Sequence, residues 1–395
     1  MKNINVDIFN DTKIAFENRS DQELKKIYSL FKKMSNQSLS SVGMGLLKAS
    51  MFLKLPIHKF AEKYLFFHFC GGVNLEDSES IVDSLNKYNV KSVLDYSAES
   101  KKNEEDFEKI KNEIIKIIDN VNKNRDKVPF AVYKMSGIGN VELIKKIQDK
   151  SELSPEEKEA KEKLVKRIDE LSNYAYQKKV PLMVDAEKLD VQSFIDDITD
   201  EMMLKYNKEM PIIFNTIQFY RKDAMNILEN SFKKVTETGA YYGLKLVRGA
   251  YFEEEKLIAE KQGLESPICN TKEDTDIMFN RGVEFCVKNI DKSSIFLATH
   301  NEESTKYLMD LMAENSLDLN DKRLWFSQLY GMSEHITFNT SKLGYNVSKY
   351  IPYGPIKSVM PYLLRRADEN KGIQEQTNRE FYVIKKEMKR RGLIK

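Results

Sequence analysis

Four polar residues near position 365 share one face of a predicted helix. Tyr362, Arg365, Arg366 and Glu369 are spaced i, i+3, i+4 and i+7, which brings their side chains to the same side. A guanidinium group binds a carboxylate through two parallel charge-assisted hydrogen bonds, and a tyrosine ring can form the floor of such a pocket. Because the helix is otherwise apolar, two adjacent arginines need partners. The pattern predicts a site for a small carboxylate, with a solvated helix face as the alternative.

The helix follows a turn that is rich in proline and glycine. Residues 346–351 form a β-like run, which Pro352 and Gly354 are predicted to end. Ser358 is the predicted N-cap of the helix, and Pro361 falls in its first turn, where a missing N–H is harmless. The arginines are therefore expected close to the end of a strand.

From residue 90 onward, short β-branched or aromatic runs alternate with charged helical segments. Several runs are continuously apolar, which is typical of parallel strands buried on both faces. No GxGxxG motif follows any run, which disfavours a dinucleotide-binding open sheet. Eight such units predict an α/β fold, a (β/α)8 barrel with extra N-terminal helices. The predicted strands are 91–96, 129–135, 180–185, 211–218, 244–247, 294–299, 324–329 and 346–351, and the predicted helices include 104–124, 154–178, 221–238 and 301–315.

The chain divides into two predicted regions. Residues 1–88 are expected to form an N-terminal helical region that packs on the barrel, and residues 89–395 the barrel with a C-terminal helix. Segment 146–178 is heavily charged and has a strong helix start at residues 154–157, so we expect a solvated outer helix. Residues 385–391 give the last helix a basic end, for which solvation and contact with an anionic membrane are the alternatives.

Polar side chains are predicted at the carboxyl end of every strand, where the active sites of such barrels gather. Any one of them could be an ordinary polar residue at a strand end. Together they include no nucleophile–base pair and no metal cluster, so the ring is typical of a redox cofactor site. In strand order they are Asp95 and Glu99, Lys134, Asp185 and Glu187, Gln218, Lys245 and Arg248, Thr299 to Asn301, Gln328, and Tyr350.

The composition excludes several classes of protein. Lysine plus arginine (63) and aspartate plus glutamate (61) nearly cancel, so there is no basic field for nucleic acid. The four histidines form no HxH or HExxH motif and there is no CxxC, which argues against a metal site. Three widely spaced cysteines fit a reducing compartment. The apolar region 44–70 contains too many lysines to span a bilayer, and the N-terminus resembles neither a signal peptide nor a transit sequence.

Five motifs in the same order resemble the proline dehydrogenase family. They are Met-Val-Asp-Ala-Glu at 183–187, Lys-Leu-Val-Arg-Gly-Ala-Tyr at 245–251, Ala-Thr-His-Asn at 298–301, Tyr-Ile-Pro-Tyr-Gly-Pro at 350–355 and Leu-Arg-Arg-Ala-Asp-Glu-Asn at 364–370. The similarity extends from about residue 90 to residue 372. The chain resembles the monofunctional form of the family, and its N-terminal helices are similar to those of the eukaryote-type branch.

The resemblance implies a binding site for L-proline. Glu99 matches a carboxylate that pairs with Arg365 and closes over the substrate, which would exclude water from the hydride path. The positions that match substrate-binding residues are Lys134, Arg365 and Arg366 for the carboxylate, and Tyr251, Tyr350 and Tyr362 for the pyrrolidine ring.

The resemblance also implies a bound FAD. Lys245 matches the cation near the flavin N5, where the family often has arginine, and Gln218 matches a residue at the isoalloxazine edge. Gly249 would let the backbone approach a phosphate. Asp185 matches a buried aspartate that holds Lys134 or Lys245, with a purely structural ion pair as the alternative. The remaining positions that match FAD contacts are Arg248, Ala250, Asn270, Thr299, His300, Asn301, Gln328 and Glu369.

The implied reaction is oxidation of L-proline to pyrroline-5-carboxylate by hydride transfer to FAD, with Lys245, Tyr350, Glu99 and Asp185 as the expected catalytic residues. No residue is assigned as the base for the amine. The family passes electrons to a membrane quinone, which implies a peripheral location at the inner membrane, cytoplasmic in a bacterium and mitochondrial in a eukaryote.

Three alternatives differ from this interpretation. Hydroxyproline could be the preferred substrate, although Tyr350 supplies the bulk that matches the proline-preferring pattern. A non-catalytic amino-acid-binding barrel would have lost the flavin, which the retained Lys245, Gln218 and Gln328 disfavour. A lyase or aldolase would use Lys134 or Lys245 as a Schiff-base amine. The oligomeric state is left open by the sequence.

Overall fold

A computed structural model describes residues 6–34, 66–97, 103–356, 358–360, 362–363 and 374–395. Within these ranges, eight strands pair in parallel in the order β1-β8-β7-β6-β5-β4-β3-β2. A parallel bridge between Val93 and Phe130 joins β1 to the start of β2 and so closes the ring. The predicted (β/α)8 barrel is therefore confirmed. The strands are β1 Val90–Tyr96, β2 Ala131–Lys134, β3 Leu182–Asp185, β4 Ile213–Gln218, β5 Tyr242–Val247, β6 Ser293–Ala298, β7 Leu324–Leu329 and β8 Val347–Tyr353.

Helices follow the strands and cover the outside of the barrel, and side-chain caps fix the starts of several of them. Asn103 caps α4, Asn301 caps α12, and Ser154 with Glu157 forms a reciprocal capping box on α7. Among the described residues, the α-helices whose bounds are complete are α1 Thr12–Ala15, α2 Asp21–Met34, α3 Glu79–Asn86, α4 Glu104–Lys123, α5 Met135–Ile138, α6 Val141–Gln148, α7 Pro155–Lys178, α8 Leu189–Tyr206, α9 Ala224–Thr236, α10 Phe252–Gln262, α11 Lys272–Lys288, α12 Glu302–Glu314, α13 Glu334–Lys342 and α14 Gln374–Arg390.

Helix α7 is less solvated than its composition predicts. Leu164, Ile168 and Leu171 are buried and belong to the main core. Arg167, on the same buried face, donates to Glu104 and Glu108 of α4 at 2.5 and 2.9 Å and to the carbonyl of Ile138 at 2.6 Å. The opposite face of this helix is charged and exposed, so the expectation of a solvated outer helix is wrong for the face that packs on the barrel.

The turn after β8 also differs from the prediction. Strand β8 continues through Pro352 to Tyr353. Its neighbour β7 ends opposite Tyr350, so pairing with β7 requires no backbone N–H at Pro352. The carbonyl of Pro352 instead accepts from the N–H of Gly71 at 2.8 Å. The following helix begins by residue 356, and the N–H of Ser358 already bonds to the carbonyl of Pro355 at 2.7 Å. Ser358 therefore lies inside the first turn and is not the N-cap.

The two ends of the described chain pack on each other. We call residues 6–34 and 374–395 the terminal clasp. Phe16, Leu24 and Phe31 share one apolar cluster with Val383 and Met388 of α14. The predicted division at residue 88 stays a prediction, and the clasp shows that segments from both sides of it are in contact.

The basic end of α14 is partly used in the clasp. Arg390 and Arg391 each donate to the buried Glu387 at 2.7 Å, and Arg391 also donates to Asp21 at 2.9 Å. These arginines are held by protein carboxylates, so solvation alone does not describe this end of the helix.

Two kinds of feature are missing from the part of the chain that the structure describes. No helix there is long and apolar enough to cross a membrane. No group of three or more histidine, cysteine, aspartate or glutamate side chains there is placed to hold a metal ion. The cysteines, Cys70, Cys269 and Cys286, are buried free thiols.

Aromatic rings pack against each other inside the barrel, which gives a first test of the fold. The ring of Phe130, 3% exposed, lies with its centroid 5.0 Å from that of Phe296 and 5.5 Å from that of Phe214. We expect Phe130→Ala to lower the free energy of unfolding by about 3–5 kcal/mol, because the cavity cannot collapse between closed strands. Urea denaturation measures this. Phe67→Ala, at a side chain 71% exposed, is the matched control and should change stability by less than about 0.5 kcal/mol. A loss below about 1 kcal/mol for Phe130→Ala would contradict the packing.

Candidate active site

Asp185, the last residue of β3, binds three side chains at the carboxyl end of the barrel. Its Oδ1 accepts from Lys245 Nζ at 2.5 Å. Its Oδ2 accepts from Lys134 Nζ at 2.9 Å and from the hydroxyl of Tyr350 at 2.7 Å. The sequence predicted contact with one lysine or the other, and the structure shows both. Strands β2, β3, β5 and β8 are thus joined through one carboxylate.

A second carboxylate balances the charges. Asp95 of β1, 1% exposed, accepts from Lys134 Nζ at 2.7 Å. We call Asp95, Lys134, Asp185, Lys245 and Tyr350 the Asp185 cluster. The sequence placed Asp95 at a strand end without giving it a role; its position one strand away from Lys134 was the available signal. Two carboxylates face two ammonium groups, so the cluster has no net charge in its ionised form.

The cluster sets the protonation of its members. Burial opposes ionisation of Asp185, but the nearby ammonium groups of Lys134 and Lys245 outweigh it and hold the pKa of this carboxyl well below its usual range. Burial, and then the charge of Asp185, raise the pKa of Tyr350 well above its usual value. Tyr350 therefore keeps its proton and acts as a donor. Lys245 Nζ lies 4.3 Å from the centroid of the Tyr350 ring, within cation–π distance.

Gln218 is the last residue of β4, and only one of its two side-chain amide atoms is hydrogen-bonded among the described residues. Its Nε2 donates to the carbonyl of Glu187 at 2.9 Å. Among the described residues, its buried Oε1 finds no hydrogen-bond donor. A buried acceptor without a donor costs about 1–3 kcal/mol, so a bound group with an N–H would relieve it. The isoalloxazine ring carries such an N–H, and Gln218 therefore fits the predicted flavin.

Arg248 follows β5 and uses its guanidinium within the protein. It donates to Asp276 at 2.6 Å, to Thr299 Oγ1 at 2.6 Å and to Ser304 Oγ at 2.9 Å, and lies 4.3 Å from the Phe279 ring centroid. Burial lowers its pKa, although Asp276 acts in the opposite direction. The sequence missed Asp276 and Ser304, which lie on helices without a motif. The predicted FAD contact of Arg248 stays a prediction, and the structure adds that Arg248 links β5 to Thr299, which follows β6.

Gly249 has a reason to be glycine that the sequence did not reveal. Its φ of +121° is rarely adopted by other residues, and a Cβ atom there would lie 1.6 Å from the Tyr220 ring. Contact with that ring already excludes a side chain. The prediction that Gly249 admits a phosphate stays a prediction.

The predicted FAD residues Thr299, Asn301 and Gln328, at the carboxyl ends of β6 and β7, form one connected network. Thr299 Oγ1 accepts from the N–H of Asn301 at 3.1 Å, and Asn301 Oδ1 caps α12 by accepting from Ser304 N at 2.8 Å. Gln328 donates to the carbonyl of Thr299 at 3.1 Å and accepts from Thr337 at 2.8 Å. These contacts bring Thr299, Asn301 and Gln328 together and show that Asn301 also has a capping role.

Other predicted residues lie at the rim or outside the described chain. Tyr251 directly precedes α10, with Lys188 Nζ 5.8 Å from its ring centroid, and Tyr362 is buried beside Met332. The side chain of Asn270 is exposed, and so is Ala250. Glu99, Arg365, Arg366 and Glu369 lie outside the described residues, so their predicted roles are not tested.

Comparison with known proteins identifies relatives of the chain. A family model described as proline dehydrogenase matches residues 79–379. The carbapenem antibiotics biosynthesis protein CarD of Pectobacterium carotovorum is 34% identical over 81% of this chain and 83% of its own length. Proline dehydrogenase 1 of Dictyostelium discoideum is 30% identical over 96% of this chain and 74% of its own. The human proline dehydrogenase 1 is 38% identical over 61% and 41%, so the chain spans under half of that relative.

A solved structure shares the fold. Proline utilization A from Bdellovibrio bacteriovorus, inactivated by N-propargylglycine, superimposes with a TM-score of 0.76 at 18% identity. The match covers 92% of this chain and 41% of that one. At this identity the likeness supports the barrel fold alone.

The lowered pKa of Asp185 predicts how its replacement acts. A carboxyl whose pKa falls on folding stabilises the protein above the ordinary value of about 3.9, and this contribution is lost as the pH falls below it. We expect Asp185→Asn to lower the free energy of unfolding at pH 7 by about 3–5 kcal/mol, because two buried ammonium groups lose a partner. The difference from the wild type should shrink by about 1.4 kcal/mol per pH unit below about pH 3.9.

Urea denaturation from pH 7 to pH 3 measures this difference. The control is Asp291→Asn, at a fully exposed side chain, which should stay within about 0.5 kcal/mol of the wild type. A difference that already shrinks between pH 7 and pH 5 would mean that the pKa of Asp185 is raised, against the geometry.

Proposed function

The chain belongs to the proline dehydrogenase family and is an oxidoreductase, and we propose that it oxidises L-proline to pyrroline-5-carboxylate with FAD as its cofactor. The observation that carries the proposal is the Asp185 cluster, which holds two cations and a tyrosine at the carboxyl end of the barrel. The aromatic rings of Phe130, Phe214 and Phe296 pack together inside the barrel, so we expect a substrate to enter from the carboxyl end, where the cluster lies.

The charge of the cluster explains why the predicted arginines are needed. Lys134 and Lys245 are balanced by Asp95 and Asp185, so the described residues offer no excess positive charge at this point. An anionic substrate requires further cations, and the sequence supplies Arg365 and Arg366 next to β8. In this proposal, the arginines bind the carboxylate in a bidentate manner and Lys134 adds a single donor.

Tyr350 provides a flat wall for the pyrrolidine ring. Its hydroxyl is tied to Asp185 and its ring lies against Lys245, so its orientation is restricted. Bulk at this position leaves little room for a hydroxyl group on the substrate ring, which favours proline over hydroxyproline. Because its pKa is raised, Tyr350 is not suited to accept the proton of the substrate amine.

Gln218, Lys245 and the segment 299–301 are the residues that would hold FAD. When bound, FAD supplies the hydride acceptor. The ammonium group of Lys245 is fixed by Asp185, so it offers positive charge without having to reorganise during the reaction. Transfer of electrons to a membrane quinone and peripheral contact with the inner membrane, bacterial or mitochondrial, belong to the proposal and are supported by the family resemblance.

An absorbance spectrum tests cofactor and substrate together. We expect the purified protein, reconstituted with FAD, to show a flavin band that bleaches on anaerobic addition of L-proline and is restored by a soluble quinone. Bleaching by hydroxyproline but not by proline would change the substrate. A protein that binds no FAD would exclude the flavoenzyme.

Lys245 is the residue whose charge the proposal depends on. We expect Lys245→Met to slow anaerobic flavin reduction by L-proline by about 100-fold or more, because the positive charge near the reacting atoms is lost. Lys245→Arg should retain most of the rate, since it keeps the charge. Stopped-flow absorbance gives these rates, with Lys261→Met on the exposed side of α10 as the control. An unchanged rate in Lys245→Met would rule out this role.

A further inference from the structure

A buried glutamate from the terminal clasp reaches the loop that follows β7. Glu380 of α14 is 3% exposed, and its Oε1 accepts from both the N–H and the hydroxyl of Ser333, at 2.6 and 2.8 Å. Ser333 is 1% exposed and has a φ of +52°, a conformation that serine rarely adopts. Two hydrogen bonds to one carboxylate oxygen stabilise this strained residue.

Ser333 in turn contacts a residue of the predicted flavin site. Its Oγ lies 2.9 Å from Nδ1 of His300, which follows β6. Glu380, Ser333 and His300 therefore form a continuous chain of hydrogen bonds from α14 to the carboxyl end of the barrel. We call it the Glu380 relay.

The relay determines where the protons lie. A serine hydroxyl has one proton, and an ionised carboxylate can only accept. If the hydroxyl pointed to His300, two oxygen lone pairs would face each other at 2.8 Å between Ser333 and Glu380. The proton of Ser333 therefore points to Glu380, and the lone pair of Oγ accepts from His300. The proton of the imidazole must then be on Nδ1.

We propose that Glu380 is a positioning residue that, through Ser333, keeps the Nδ1 of His300 protonated and its ring oriented for the cofactor. The part that concerns the cofactor rests on the proposed function. The part that concerns the proton of His300 does not, because it follows from contacts within the protein.

Nitrogen-15 NMR of the histidine rings tests the proton directly. The chain has four histidines, so the signal of His300 can be assigned from its loss in His300→Asn. At pH 8 and without flavin, we expect the shift of a protonated Nδ1 in the wild type and in Glu380→Gln, which retains an acceptor oxygen. In Glu380→Ala and Ser333→Ala, this shift should move towards that of an unprotonated nitrogen. An unprotonated Nδ1 in the wild type would overturn the proposal.

FAD affinity provides the second readout, with a matched control on the same helix. Glu387 of α14 is also buried, but it pairs with Arg390 and Arg391. We expect Glu380→Ala to weaken FAD binding about tenfold, the size of one lost hydrogen bond, and Glu387→Ala to leave it within about twofold. Equal losses in both variants would show that α14 acts only by supporting the fold. If neither the wild type nor any variant binds FAD, the proposed function is excluded. The NMR result still tests whether Glu380 and Ser333 keep Nδ1 of His300 protonated.

Discussion

The carboxylate of Asp185 is the constraint on which the rest of the site depends. Taking it out of water is unfavourable, and it stays ionised because two ammonium groups and one hydroxyl surround it. Each donor comes from a different strand, so the contacts also fix the register in which β2, β5 and β8 present their side chains. In the proposed function, the neutral charge of the cluster leaves recognition of the substrate carboxylate to residues further along the chain. Stability and the proposed function thus depend on the same buried charge.

Around this centre, the polar network is arranged by strand neighbours. Arg248 links β5 to the residues after β6, and Gln328 links β7 to the same residues. Apolar rings fill the opposite end of the barrel, where Phe130 packs on Phe214 and Phe296. Rigidity comes from the closed sheet and the aromatic layer, and the polar residues at the carboxyl end are held in place by each other as well as by the backbone.

Much of this arrangement was predictable, because strands and helices leave a periodic pattern of burial. All eight strands lie within three residues of their predicted bounds, and Lys134, Asp185, Lys245 and Tyr350 do converge. Hydrogen-bonded pairs that do not belong to a periodic pattern of burial were not predicted. The contacts of Arg248 with Ser304 and of Ser333 with Glu380 each join a loop residue to a helix residue, 56 and 47 positions apart, and hydrophobic spacing carries no information about such pairs. The prediction that β8 ends before Pro352 was wrong, because proline is tolerated where a strand extends beyond its neighbour.

The position of Glu380 in the chain has a consequence for biosynthesis. A ribosome makes all eight strands before it makes α14, so a nascent barrel can close while the loop with Ser333 still lacks its carboxylate partner. In the proposed relay, His300 then gains its final orientation only after α14 has left the exit tunnel and docked. Docking of α14 would thereby become a condition for the final orientation of a residue in the proposed cofactor site.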